Sequence, residues 1–382
     1  MTQRFPILLA FILAMPLVAQ KDFKGKVVDA KTGGPIPYVN IGIINIGIGT
    51  VSDEKGAFHL EFNQGILQLD EDVIFSSLGY KPFKIHVSDI EFGYNEHREI
   101  KLMPSAVQLQ EVVVTNADTD SKFVDELVGH KNYGSNNFGY WKEDTALGGE
   151  LATLIPVKKG LRKLNSLGFE VLQNNMDSLL VRVNIYDSDG KWGTPKTNLN
   201  TSGKNILHKI KKADTYCTVN LKPYSIFVKD DFIVSLELVQ VFGNNAVELV
   251  IPAAISESGS FRRYASQGKW EKISESGMGY HLDTSVLVAK DKAECIEQRE
   301  AKKKNKQNKV YGFVISNRRM LAGVQVINMR TKEQVETDNN GRYIIHAKEK
   351  DILLFSNAGY KSKQRRVVKE PTMNVILEMD GR

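Results

Sequence analysis

Cysteine is scarce: two residues among 382 exclude a scaffold held together by disulfides. Cys217 falls in an apparent strand, Thr215 to Asn220, and Cys295 in a charged tract, and spacing leaves open whether they meet. Charge of one sign is scarce too. With 51 basic and 45 acidic residues the net charge is +6, and no basic cluster interleaved with aromatics gives a nucleic-acid footprint. After residue 20 no apolar run reaches the roughly 20 residues a membrane helix needs.

Catalytic constellations are missing as well. His59, His86, His97, His130, His208, His281 and His346 are scattered singly, so no metal cluster is expected. His346-Ala-Lys-Glu349 has zinc-ligand spacing, yet it falls at a predicted strand end, where a period of two separates the side chains. A nucleophile elbow is absent, since Gly134-Ser-Asn-Asn-Phe-Gly139 has the wrong spacing. Asp187-Ser-Asp-Gly190 starts like a calcium loop, but Lys196 stands where a bidentate Glu is required, so a hairpin turn is expected. The tract Gly42 to Gly49 lacks the Lys-Ser/Thr ending of a phosphate loop and reads as a hairpin in which glycine relieves crowding. No cofactor, metal or catalytic residue is therefore assigned.

What the chain does contain is a repeat. Val51-Ser-Asp-Glu-Lys-Gly-Ala-Phe-His-Leu60 and Phe75-Ser-Ser-Leu-Gly-Tyr-Lys81 return as Thr337-Asp-Asn-Asn-Gly-Arg-Tyr-Ile-Ile345 and Phe355-Ser-Asn-Ala-Gly-Tyr-Lys361. In each first piece the Asp (Asp53, Asp338) can accept from backbone amides just ahead of it, and the Gly (Gly56, Gly341) supplies a positive φ, so the chain reverses. Phe58 and Tyr343 then open strands whose alternate residues share a face. In each second piece a short apolar run stops at Gly79-Tyr80 or Gly359-Tyr360, as a buried strand does at a kink.

These paired motifs, with Gly25-Lys-Val-Val-Asp-Ala-Lys-Thr-Gly-Gly-Pro-Ile-Pro-Tyr-Val-Asn-Ile41 before the first, resemble the carboxypeptidase-regulatory-like domain, a transthyretin-like β-sandwich of Bacteroidetes envelope proteins. The likeness covers about residues 23–104 and, more loosely, 309–379. It implies an accessory module without catalytic residues.

The expected fold class is all-β, with two small transthyretin-like sandwiches flanking a larger sandwich or jelly-roll-like domain. Residues 1–20 read as an export signal, with Arg4, then the apolar stretch Phe5 to Val18, then Ala19; a signal anchor is the rival reading. The first sandwich spans 21–104 and a linker 105–146; within it Leu109-Gln-Glu-Val-Val-Val-Thr115 reads as a last strand or a docking strand. The middle domain spans 147–289, with strands at Leu161–Leu172, Ser178–Tyr186, Tyr216–Leu221, Asp231–Val241 and Ala246–Ile251. A charged, helix-prone linker covers 290–308 and the second sandwich 309–382.

The expected function is that of a non-catalytic exported module in the periplasm or at the outer membrane, peripheral to the membrane at most. Its expected partners are envelope proteins and not nucleic acid. A second hypothesis is glycan capture by Trp192, Tyr264 and Trp270 of the middle domain, whose flat rings could stack on sugars. A third, metal-dependent peptidase activity, rests on His346 and Glu349 alone.

Overall fold

The computed structural model describes residues 21–44, 46–62, 71–90, 98–105, 121–132, 137–142, 146–296, 309–369 and 371–380. The signal segment, Leu109–Thr115 and most of the charged tract lie outside the described residues, and the helix at 290–296 leads into that tract. Among the described residues no helix is long and apolar enough to cross a membrane. The protein is all-β.

The repeat folds twice into one topology. In the N-terminal unit, Lys21–Asp29 pairs antiparallel with Ala57–Phe62 and parallel with Glu99–Leu102, and a second sheet orders Gly49–Val51, Asn40–Ile43, Asp72–Ser76 and Phe83–His86. In the C-terminal unit, Lys309–Ser316 pairs antiparallel with Arg342–His346 and parallel with Val375–Ile376. Its second sheet orders Gln334–Glu336, Gln325–Asn328, Ile352–Ser356 and Lys363–Arg366. The turn chemistry repeats with it. Asp53 Oδ1 accepts from the amides of Lys55 and Ala57, and Asp338 Oδ1 from those of Asn340 and Arg342. Gly56 and Gly341 have φ of 76° and 71°, and Gly79 and Gly359 have 85° and 81°. Phe58 packs edge-on against Phe23 and Phe75, and Tyr343 against Phe355.

A pair of buried hydroxyls that sequence reading passed over also recurs. Ser52 Oγ accepts from the Val39 amide, and Thr337 Oγ1 from the Val324 amide, each one residue before the turn aspartate. The visible signal was the repeated hydroxyl-Asp pair. The Tyr80 hydroxyl donates to Asp29 Oδ2, while Tyr360 bridges to Met379.

Between these units lies a six-stranded sheet ordered Ile206–Lys211, Ser178–Tyr186, Phe232–Phe242, Glu150–Ile155, Ser260–Arg263 and Glu271–Ile273. It faces a sheet containing Tyr216–Asn220, Arg162–Glu170, Tyr280–Ala289 and Ser121–Gly129 across a core that includes Leu167, Phe169, Val181, Leu236 and Tyr280. Phe232–Phe242 lies inside its sheet, as its nearly continuous apolar run predicts.

The linker expected over 105–146 requires correction, because Ser121–Gly129 and Asn137–Trp141 are strands of this central unit. Ser121–Gly129 occupies a sheet edge and buries only Val124, so its composition is that of a loop. Trp141 is in the core, with its indole donating to the Gly149 carbonyl. The two thiols are free, Cys217 buried and Cys295 exposed.

The glycines of the Gly42 to Gly49 hairpin have a specific task. A methyl group built on Gly42 or Gly49 would overlap the Ser266 carbonyl, so their absent side chains let the central unit seat against the N-terminal one. The same junction carries a bond from Gln267 Nε2 to Ser76 Oγ and one from the Arg182 guanidinium to the Tyr38 carbonyl. Replacing Gly49 by Ala is expected to cost about 1–3 kcal/mol through overpacking at this junction. Urea unfolding measures it, and an unchanged midpoint contradicts the close approach.

Candidate functional site

Alternation along a strand sends side chains to opposite faces, so one face of the six-stranded sheet feeds the core and the other should meet water. Here the second face is covered too. Arg182 lies opposite Glu237, Glu237 opposite Glu150, and Glu150 opposite Arg263, which makes a row of signs plus, minus, minus, plus across four strands. The next row is Asn184, Ser235, Ala152 and Phe261, and the one beyond begins Tyr186, Ile233 and Leu154. The face thus passes from charged to apolar.

Both carboxylates are fully buried, with side-chain exposure of 0% for Glu150 and Glu237. Arg263 pairs with Glu150, Arg182 lies 3.4 Å from Glu237, and Ser235 Oγ donates to Glu150. Asn184 Nδ2 donates to Glu237 at 2.9 Å, and the Tyr186 hydroxyl to Glu150 at 3.3 Å. Desolvation pushes the Glu150 carboxyl up, Arg263 opposes this, and the neighbouring Glu237 charge reinforces it. Burial alone would lower the Arg263 guanidinium, but Glu150, Tyr186 and Glu237 together outweigh it and keep the cation. A catalytic acid or base must reach a substrate atom within hydrogen-bond distance. These carboxylates instead face their own guanidinium partners.

The three aromatic residues considered for stacking on sugars occupy two environments. The Arg262 guanidinium lies between the rings of Tyr140 and Tyr264, 4.6 Å from each centroid. Trp270 is partly buried, with Tyr186 edge-on at 6.3 Å and Arg263 at 4.9 Å from its ring. Both rings therefore serve internal stacking. Trp192 is 84% exposed, and its only described ring contact is Lys191 at 5.8 Å.

The backbone at Trp192 is constrained. It has φ 62° and ψ 26° inside the turn Lys191–Gly193, a left-handed conformation that costs a bulky residue about 1–3 kcal/mol. The loop is tied at its base by Asp189, whose carboxylate accepts from the Thr197 amide and hydroxyl at 2.9 and 2.6 Å. Those bonds hold the Asp189 carboxyl below its usual range. Asp187 to Gly190 is not itself the hairpin turn expected of it, because it opens a longer loop that Asp187 closes with Lys196 and Thr197 and in which Gly190 donates to the Thr194 carbonyl.

The zinc-like pair at the far end does not converge. His346 Nδ1 lies 2.9 Å from Glu333, which stands just before a strand of the other sheet. Among the described residues no group of three or more metal-binding side chains comes together.

Removing Arg263 while Glu150 remains should leave an uncompensated buried carboxylate. Arg263→Met is expected to destabilise the protein by about 3–5 kcal/mol, and adding Glu150→Gln to recover much of that. Chemical unfolding of the two variants decides it, and a loss that Glu150→Gln leaves untouched contradicts the pairing.

No curated protein matches this chain. Among solved structures, the cysteine protease and lectin-like domains of Cwp84, a surface layer associated protein of Clostridium difficile, align at 14% identity and TM-score 0.28. That alignment covers 44% of this chain and spans 36% of that one. The major pilin subunit BcpA of Bacillus cereus aligns at 10% identity and TM-score 0.16, with 95% and 100% covered. The full-length major pilin SpaD of Corynebacterium diphtheriae gives 10%, TM-score 0.16, and coverage of 94% and 96%. At these scores the likenesses carry no argument. Residues 23–114 match the family described as the CarboxypepD_reg-like domain, and the N-terminal unit is a domain of that kind.

Proposed function

We propose that the chain is a non-catalytic, exported module of the Bacteroidetes cell envelope, working by contact with envelope proteins in the periplasm or at the outer membrane. The C-terminal unit is, in this reading, a second carboxypeptidase-regulatory-like copy. Its strand order and its Asp338 and Gly341 turn, which parallel those of the first, support that.

The observation that carries the reading is Trp192. Its ring is displayed on a loop anchored by Asp189 and Thr197, in a backbone conformation that other contacts must sustain. Tryptophan is among the residue types most enriched where a few side chains dominate a protein interface, and a loop tied at its base loses less entropy on contact than a free one. The buried carboxylates, by contrast, are engaged internally.

Glycan capture is the second reading, and Trp192 favours it as well, because one exposed ring can stack on a sugar face. Tyr264 and Trp270 add little to it, since guanidinium groups already lie against both rings.

The test is affinity purification from envelope fractions with the tagged mature protein, beside its Trp192→Ala variant. Enrichment of a defined envelope protein that falls tenfold or more with the variant, about 1.4 kcal/mol, is the expected result. Equal recovery by both proteins rejects the role of Trp192. A glycan panel followed by tryptophan fluorescence separates the readings, because a saturable change with sugar alone supports the second.

A further inference from the structure

The C-terminal unit meets the central unit through Glu170, the last residue of Arg162–Glu170. Its carboxylate is 8% exposed. One oxygen, Oε1, takes both the Asn374 amide at 3.0 Å and the Arg365 guanidinium at 3.3 Å. Arg365 reaches the Asn374 and Thr215 carbonyls only at 3.3 and 3.4 Å, and its Nε finds no hydrogen-bond partner among the described residues. A buried ion pair offsets the loss of water only with short, well-aligned bonds on both partners. This pair lacks them.

We propose that Glu170 makes the seating of the C-terminal unit on the central unit depend on pH, firm in mild acid and loosened as the carboxyl ionises. Burial raises this carboxyl to about 7 from its ordinary 4.5, against the pull of Arg365, the Asn374 amide and Lys363. Swung into water, the same carboxyl would return toward the ordinary value. A group whose value is higher in the seated state holds a proton better there, so seating is strongest at low pH and weakens as pH rises through that interval.

The surroundings do not supply the same response. From the C-terminal unit, Arg365, Lys363 and Tyr343 face Glu170, and burial pushes Tyr343 far above its usual range. On its own sheet, Tyr216 lies opposite Glu170, and His281 lies opposite Gly168 on the other neighbouring strand. His208 stacks against Phe169, on the reverse side. At the rim, Asp283 pairs with Lys369 at 3.1 Å. Burial would raise Asp283, but Lys369 and Ser166, with the nearby His281, hold it below the ordinary range. Phe138 and Phe313 complete the junction with an edge-on apolar contact at 6.1 Å that has no charge to change.

Hydrogen exchange of the full chain reads the seating directly, with labelling times scaled for the chemical exchange rate. In peptides covering Asn374, whose amide is bound to Glu170 across the junction, protection is expected to fall about twentyfold between pH 5.5 and pH 8. Glu170→Gln should keep them protected at both, while Ser178–Tyr186 and Phe232–Phe242 report that the variant is folded. Arg365→Met should extend the fall beyond pH 8, because the charged carboxyl has lost its cation. Constant protection of the unaltered protein overturns the proposal. So does a fall that persists in Glu170→Gln or disappears in His281→Gln.

Discussion

Burying both faces of one sheet is the constraint from which much of the architecture follows. A two-layer sandwich needs one apolar face per sheet, and the inward residues of Ser178–Tyr186 and Phe232–Phe242 supply it. Their outward neighbours Arg182, Asn184, Ser235 and Glu237 are nevertheless buried as well. Polar groups out of water need partners inside the protein, and here most are found across four adjacent strands, although Glu237 Oε1, Arg182 Nε and Arg263 Nε have none among the described residues. Breaking any one link strands a charge, which makes the cluster a source of fixed geometry more than of net stability.

One topology used twice does not mean one surface used twice. The N-terminal unit meets the central unit with Gly42 and Gly49, on the face of its second sheet. By register, Ile41 opposite Phe75 corresponds to Val326 opposite Phe355, so Ile327 occupies the place of Gly42 in the other unit. That side chain blocks the same approach. The C-terminal unit instead presents Phe313, Arg365 and Asn374. The register places Ile85 where Arg365 stands, so the N-terminal unit lacks the guanidinium that meets Glu170. Each copy keeps the turn residues that close its own fold and differs where it touches its neighbour.

Local signals were legible wherever a residue acts on its own backbone. Asp53, Gly56, Asp338 and Gly341 act over two to four residues, and their turns form as read. Gly42 and Gly49 were recognised as relieving crowding, but the crowding atom belongs to Ser266, more than two hundred residues away. Ser121–Gly129 reads as part of a linker because an edge strand with little burial has no apolar period to detect. The different surroundings of Trp192, Tyr264 and Trp270 were hidden for a similar reason. Composition cannot show that Arg262 and Arg263 lie against two of those rings.

The amino-acid sequence by itself determined the class of fold, the repeated turns and the strand-forming runs, because each depends on short-range backbone preference and the period of two. Tertiary structure alone decided which carboxylates lie under cover, which aromatic ring stays outside, and which face of each repeated unit is spent on its neighbour. Those outcomes depend on strands far apart in the chain being laid side by side, and on the removal of water that follows when they are.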